Sequence, residues 1–294
     1  MSQSAASTQE LSCCNLFSVK GLIVVITGGG TGIGLMIAKS FAANGAKVYI
    51  IGRRLQVLQK TAETHASDTS GEIIPLQGDV TSKSSIEDIV KQIHEREGYI
   101  NVLFNNAGVA GPKVDKVVPG SGEETKENLY AGQDFEDWKT VFETNVASVF
   151  FVTSAFLGLL TEGGKRTKGY SSTVINISSV SGLTKNGQSQ LAYNTSKAAV
   201  IHMSKMMAKE FAGLKIRVNT IAPGLFPSEM TTEGSDEGNV SEHKGEQQIP
   251  AGRAGDVKEM AGTALYLASK AGLYTNGAVI PVDGGMLLSG PSAY

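Results

Sequence analysis

Three side chains in this sequence have the types and spacing to move a proton: Ser179, Tyr193 and Lys197, the last two four residues apart. On a helix that spacing puts the phenol and the ammonium on one face. A phenol, with an ordinary pKa of ~10, is a poor acid or base at neutral pH. A neighbouring ammonium stabilises the phenolate and draws its pKa toward the working range. The Ser179 hydroxyl can hydrogen-bond a substrate oxygen and orient it. Taken alone, Tyr-x-x-x-Lys more often marks a solvated helix face.

A second feature changes the odds. Residues Thr27 to Gly34 run Thr-Gly-Gly-Gly-Thr-Gly-Ile-Gly, directly after the apolar stretch Leu22–Ile26. Gly28, Gly32 and Gly34, with Thr31 and Ile33 among them, let the backbone turn sharply and approach a pyrophosphate without a Cβ clash. The helix that follows offers unpaired N–H groups and the positive end of its dipole. A glycine cluster by itself is weak evidence; its place between a strand and a helix strengthens it. The two features together imply a nicotinamide cofactor exchanging hydride with a carbonyl or alcohol carbon.

About twenty residues past the turn, the next strand ends Ile51-Gly52-Arg53-Arg54. A carboxylate here would grip the ribose hydroxyls of NAD and repel a 2′-phosphate, whereas guanidiniums suit NADP. Arg53 is expected to contact that phosphate. Arg54 is either a second contact or a solvent-facing residue at a helix start. The cofactor expected is NADP(H).

These groups need a scaffold, and strand-like runs alternate with helical patterns along the whole chain. The strands expected are Leu22–Thr27, Lys47–Ile51, Glu72–Gln77, Asn101–Phe104, Thr173–Ile177, Lys215–Ile221 and Ala278–Val282. Helical patterns include Gly34–Ala43, Ser84–Arg96, Phe135–Leu160, Ala192–Phe211 and Val257–Ala268, the last opened by an Asp256/Glu259 capping box. Such alternation predicts an α/β fold, a single doubly wound parallel sheet of Rossmann type with helices on both faces. With no repeat and no Pro/Ser linker, one domain over residues 20–294 is expected, behind a flexible arm of residues 1–19. Two polar stretches break the rhythm at the carboxyl ends of strands, where such sheets bind ligands. Residues 111–132 form an insertion that is either a pocket wall or a plain surface loop. Residues 225–250 are expected to form a substrate lid.

Bulk properties exclude other classes. At 294 residues, a net charge of −2 and no long basic run, the chain gives no reason to expect nucleic acid. Its apolar stretches fall short of the roughly 20 residues of a membrane helix, and residues 1–20 lack the features of a targeting signal. Cys13 and Cys14, adjacent and alone, are expected as free thiols in a reducing cytoplasm. His65, His94, His202 and His243 are scattered without partners at zinc spacing, so no metal site is expected. Met203, Met206 and Met207 suit a core or subunit interface.

Six ordered motifs give the chain, from Lys20 to Gly285, a resemblance to the short-chain dehydrogenase/reductase family. They are Thr27–Gly34, Asp79-Val80, Asn105-Asn106-Ala107-Gly108, Asn145, the Ser179/Tyr193/Lys197 triad, and Pro223-Gly224. The resemblance implies roles. Asp79 and Val80 would contact adenine, and Asn106, Ala107 and Gly108 would line the cofactor. Asn145 would hold a water in a proton relay to Lys197, which also binds the nicotinamide ribose. Pro223, Gly224, Phe226 and Ser228 would flank the nicotinamide. It also implies a homodimer or homotetramer built through the helices carrying Asn145 and Tyr193. Pro223–Thr231 and the spacing from Ser179 to Tyr193 look like the β-ketoacyl reductase branch of rhamnolipid synthesis, and like fungal secondary-metabolite ketoreductases.

The function expected is NADPH-dependent reduction of a small β-keto or polyketide-like ketone to a secondary alcohol. The alternatives are an alcohol dehydrogenase working toward oxidation, and a catalytically silent NADP-binding sensor. The stretch 225–250 carries six carboxylates against one lysine, a rim that a polyanionic acyl carrier protein should avoid. A free substrate is therefore expected over a carrier-bound one.

Overall fold

In the computed structural model, residues 8–65, 69–114, 117–228 and 249–289 are described. Runs of aliphatic and β-branched residues form seven strands: β1 (Ile23–Thr27), β2 (Lys47–Gly52), β3 (Glu72–Gln77), β4 (Val102–Asn105), β5 (Thr173–Ile177), β6 (Arg217–Pro223) and β7 (Val279–Val282). All pairings are parallel, in the order β3-β2-β1-β4-β5-β6-β7. Strands β1, β4, β5 and β6 are buried at every residue, as central strands covered on both faces must be. The edge strands β3 and β7 are only partly covered.

The helices are α1 (Cys13–Leu16), α2 (Gly32–Ala43), α3 (Leu55–His65), α4 (Lys83–Glu97), α5 (Gly122–Tyr130), α6 (Phe135–Phe142), α7 (Ser148–Arg166), α8 (Leu191–Glu210), α9 (Val257–Ala268) and α10 (Met286–Ser289). One core lies between the sheet and α2, α3 and α9, with Ile26, Phe41, Phe104, Ile175 and Met260. The other lies under α4, α7 and α8, with Val25, Ile93, Leu103, Phe156 and Val218. This is the doubly wound architecture expected from the sequence. Strand order reverses between β1 and β4, which opens a crevice beyond their carboxyl ends.

Three local expectations differ from what forms. The pattern Phe135–Leu160 is two helices, α6 and α7, joined by a π-turn over Glu143–Ala147. The insertion 111–132 contains α5, whose N-cap Ser121 accepts a hydrogen bond from Glu124 N–H. The apolar stretch is also longer than its composition suggested. Within Phe135–Arg166 one 18-residue window reaches the mean hydropathy (1.6) of a membrane span, but its Val149, Val152, Phe156 and Leu160 are buried against the fold. Most of the expected lid, residues 229–248, lies outside the described residues. The capping box at Asp256 and Glu259 forms as expected.

Two buried polar assemblies fix the scaffold. Asn105 donates to Thr153 Oγ1 on α7 and to Asn176 Oδ1 on β5, both at 2.8 Å, and Asn176 donates to Ser204 Oγ on α8, again at 2.8 Å. This relay ties both helices that flank the crevice to the sheet. At the opposite end, Arg217 is buried, and its Nη1 donates to the carbonyls of Leu267, Gly272 and Thr275. Burial lowers its pKa, and among the described residues no carboxylate pairs with it.

Replacing Asn176 by Leu leaves the Asn105 amide and Ser204 short of partners inside the core. Asn176→Leu is expected to cost about 2–3 kcal/mol of unfolding free energy. The readout is a lower urea midpoint at unchanged m-value. A shift under about 0.5 kcal/mol would mean the relay is dispensable.

Candidate active site

The end of β1 and the loop after β4 are locked together before any side chain faces the crevice. Thr27 Oγ1 accepts hydrogen bonds from the backbone N–H of Asn106 (3.0 Å) and Ala107 (3.1 Å). The Asn106 amide in turn donates to the carbonyls of Thr27 and Gly28, each at 3.0 Å. Gly34 must come close to this clamp: a Cβ there would sit 2.1 Å from the Gly28 carbonyl oxygen and 2.6 Å from Asn106 Nδ2. Asn106 therefore uses its side chain on the glycine turn. Thr27 was not singled out in the sequence, although a hydroxyl closing an otherwise aliphatic buried strand is a signal that could have found it.

Around the clamp runs a cleft of ≈510 Å³. Its walls include Gly28, Thr31, Gly32 and Ile33 from the turn, Arg53 and Arg54 after β2, and Asp79 and Val80 after β3. Asn106, Ala107 and Gly108 after β4, then Tyr193, Lys197 and Ser228, complete them. Val57, Val109, Thr144 and Ser178 also line it, and sequence motifs did not flag them. Gly34, Asn145, Ser179, Pro223, Gly224 and Phe226 are not in the lining. Phe226 is buried, its ring packed where a Cβ on Gly255 would stand. Gly224 N–H bonds Val282 O at 2.9 Å, continuing the β6–β7 ladder. Beyond them the chain returns to the glycine turn, so that a Cβ on Gly32 (φ +52°) would be 2.9 Å from Ser228 Cβ.

At one end of the cleft, burial pushes the Asp79 carboxyl up. Hydrogen bonds from Thr81 N–H (2.9 Å) and Thr81 Oγ1 (2.7 Å), with the Arg53 charge, outweigh that and hold it below the usual carboxylate range. Arg53 is thus an exposed cation beside an ionised carboxylate.

At the other end stand the proton-handling groups. Three serines crowd the end of β5, and their partners separate them. Ser178 Oγ donates to the Lys197 carbonyl (2.7 Å), Ser181 Oγ donates to Gln188 Oε1 (2.7 Å), and Ser179 shares a hydrogen bond with Tyr193. Lys197 is buried. Its ammonium donates to Ile177 O at 3.1 Å and lies 5.6 Å from the Tyr193 ring centroid. Burial raises the Tyr193 pKa, opposed by the Ser179 hydrogen bond. That differs from the expected lowering by the ammonium, because Lys197 is aimed at the Ile177 carbonyl. Asn145 sits on the π-turn, accepts from Val109 N–H (2.8 Å), and donates to Val109 O (2.9 Å) and Ser196 Oγ (3.0 Å). The wide turn brings it there, and its Oδ1 converges with Lys197 Nζ over Gly108.

The residues fit a dinucleotide. A strand-to-helix turn admits no side chain at Gly32 or Gly34, the cleft runs from two guanidiniums to the Tyr193 hydroxyl, and a buried ammonium lines its floor.

A family model described as enoyl-(acyl carrier protein) reductase matches residues 28–287. The short-chain dehydrogenase/reductase PhomF of Diaporthe leptostromiformis is 44% identical, covering 99% of this chain and 100% of that protein. The chain belongs to the short-chain dehydrogenase/reductase family. It is similar too to the rhamnolipids biosynthesis 3-oxoacyl-(acyl-carrier-protein) reductase of Pseudomonas aeruginosa, at 36% identity over 92% of this chain and 98% of that one. A solved Pseudomonas aeruginosa RhlG/NADP active-site complex superposes with a TM-score of 0.76 at 33% identity, covering 92% of this chain and 98% of that one. By membership this short-chain dehydrogenase/reductase is an oxidoreductase.

Burying the Lys197 ammonium has a thermodynamic signature. Its pKa falls from 10.5 to about 8 by desolvation, so holding it charged costs on the order of 3 kcal/mol. The cost is full below pH 8, where folded and unfolded chains are both protonated, and it fades as pH rises toward 10.5. Lys197→Met is therefore expected to raise Tm by several degrees at pH 7, with the gain held to about pH 8 and shrinking from there to pH 10. A difference independent of pH would place the effect in packing.

Proposed function

We propose that this short-chain dehydrogenase/reductase is an NADPH-dependent ketoreductase acting on a β-keto or polyketide-like ketone. The observation that carries this is that Tyr193, with Ser179 beside it, and buried Lys197 line the same cleft as Arg53. Arg53 and Arg54 would hold the 2′-phosphate, the turn Gly28–Gly34 the pyrophosphate, and Asp79 and Val80 the adenine. The NADP named for the RhlG complex and the 3-oxoacyl substrate named for the bacterial relative support the same assignment.

When bound, NADPH supplies the hydride for the carbonyl carbon. Ser179 holds the carbonyl oxygen, and Tyr193 donates its proton to that oxygen as the C=O π bond gives way to an alcohol. Burial that raises the Tyr193 pKa keeps the phenol protonated at neutral pH, which suits an acid in reduction better than a base in oxidation. Lys197 then offers its positive charge to the phenolate. Asn145 fixes the Val109 loop and Ser196, and so the helix that carries both groups.

Exposed Glu124 and Glu127 on α5 and Asp134 at the cap of α6 add to the acidic stretch 225–250, whereas Glu123 and Glu136 are paired with Lys126 and Lys139. Like charge on this scale disfavours a polyanionic carrier, and we assign a free substrate. The exposed Phe150, Phe151 and Met206 on α7 and α8 would join copies into a homodimer or homotetramer. The free thiols of Cys13 and Cys14 suit a reducing cytoplasm.

Three experiments test this. With a panel of β-ketoesters and cyclic diketones, Tyr193→Phe should abolish NADPH oxidation while leaving NADPH binding intact. On the same panel, Arg53→Glu should lower kcat/KM for NADPH by about ten- to a hundredfold, the worth of one charge-assisted hydrogen bond, and raise it for NADH. Equal losses with both cofactors would sink the phosphate assignment. Separately, a free β-ketoacyl thioester should be turned over at least as efficiently as the same acyl group on a carrier protein. A large preference for the carrier form would overturn the free-substrate assignment.

A further inference from the structure

The segment linking Ser179 to Tyr193 is held in a more demanding shape than a connection requires. Gln188 and Ser189 both adopt left-handed backbone, with φ of 50° and 57°. For residues bearing a Cβ this costs on the order of 1 kcal/mol each. Glycine would accept either position freely, yet the glycine of this loop, Gly187, stands one residue earlier. Strain of this kind persists only where the surroundings over-determine it, and it clusters at ligand sites.

The surroundings are explicit. Gln188 N–H donates to Asn186 Oδ1 at 3.0 Å. Asn194, the residue after Tyr193, donates its amide to the carbonyls of Asn186 (3.0 Å) and Gly187 (3.1 Å). From the opposite side, Val114 N–H in the 111–132 insertion donates to Ser189 O at 2.9 Å. The loop is thus pinned both to the catalytic helix and to the insertion.

What this delivers is the Gln188 side chain. Its Oε1 accepts from Ser181 Oγ at 2.7 Å, and Ser181 N–H donates to Ser179 Oγ at 3.1 Å. The carboxamide is therefore two hydrogen bonds from the hydroxyl that would hold the reacting carbonyl. With Oε1 committed to Ser181, the amide presents its NH2 group, two donors with no partner among the described residues. The residue is half-buried, neither core nor free surface.

We infer that Gln188 is a specificity-determining residue, whose amide NH2 donates a hydrogen bond to a second oxygen carried by the substrate close to its reacting carbonyl. The substrate class is a ketone with a neighbouring acceptor, such as a β-dicarbonyl or an oxygenated ring ketone. This rests on the ketoreductase reading above.

The test compares two ketones matched in size, one a β-ketoester and one lacking the second oxygen. Wild type, Gln188→Leu and Gln188→Gly are measured with each, alongside the NADPH dissociation constant and Tm. Gln188→Leu should lower kcat/KM for the β-ketoester by about tenfold, the worth of one hydrogen bond. The loss should appear mainly in KM, with the simple ketone within about twofold and NADPH affinity unchanged. Gln188→Gly should show the same loss of selectivity with Tm held or raised, which separates recognition from misfolding. Equal losses on both ketones would reduce Gln188 to a support for Ser179 and overturn the inference, as would no loss on either. If wild-type enzyme bound NADPH but reduced neither ketone, the ketoreductase reading would fail first and take the inference with it.

Discussion

The whole cofactor side of this protein depends on one reciprocal clamp, the exchange of hydrogen bonds between Thr27 and Asn106. Parallel strands that part at a reversal of order leave a gap between their ends, and backbone groups in that gap have no ladder to satisfy them. Thr27 meets two of the orphan N–H groups, and Asn106 meets two of the carbonyls. With these four groups paired, the glycine turn can sit against the β4 loop at van der Waals range, and α2 starts where its free amides face the crevice. The space left for a ligand is what remains after the protein has satisfied itself.

A second tension lies at the other end of the cleft. Lys197 is held charged at a site that penalises charge, with one carbonyl for company. Natural folds keep such a group only where it serves a purpose that packing does not. The Asn105–Asn176–Ser204 relay and the Asn145 clamp onto Val109 supply the rigidity that keeps the lysine there, so stability gained in one place offsets its loss in another.

Much of this was legible in the sequence, for physical reasons that also mark the boundary. The strands showed because central parallel strands are apolar throughout, and the glycine turn showed because no other residue fits at Gly34. Tyr193 and Lys197 showed as a pair because helical spacing is local, and one helix carries both into the cleft. What stayed hidden was non-local. The π-turn at Glu143–Ala147 adds a residue to a helix without changing its composition, so periodicity read straight through it. Helix α5 hid in a polar insertion because its face meets little core. The task of Asn106 was invisible because it depends on a carbonyl seventy-eight residues away. The packing of Phe226 against Gly255 was equally invisible, since the two are far apart in sequence.

The two ends of the sheet are also anchored by different kinds of force. Arg217, at the closed end, is solvated by carbonyl dipoles and is buried from the bulk. Mobile ions neither reach it nor compete for its partners. Arg53 and Asp79, at the open end, are an exposed cation and a half-buried carboxylate. Ionic strength can therefore retune the charges at the mouth of the cleft while the Arg217 foundation beneath stays as it was.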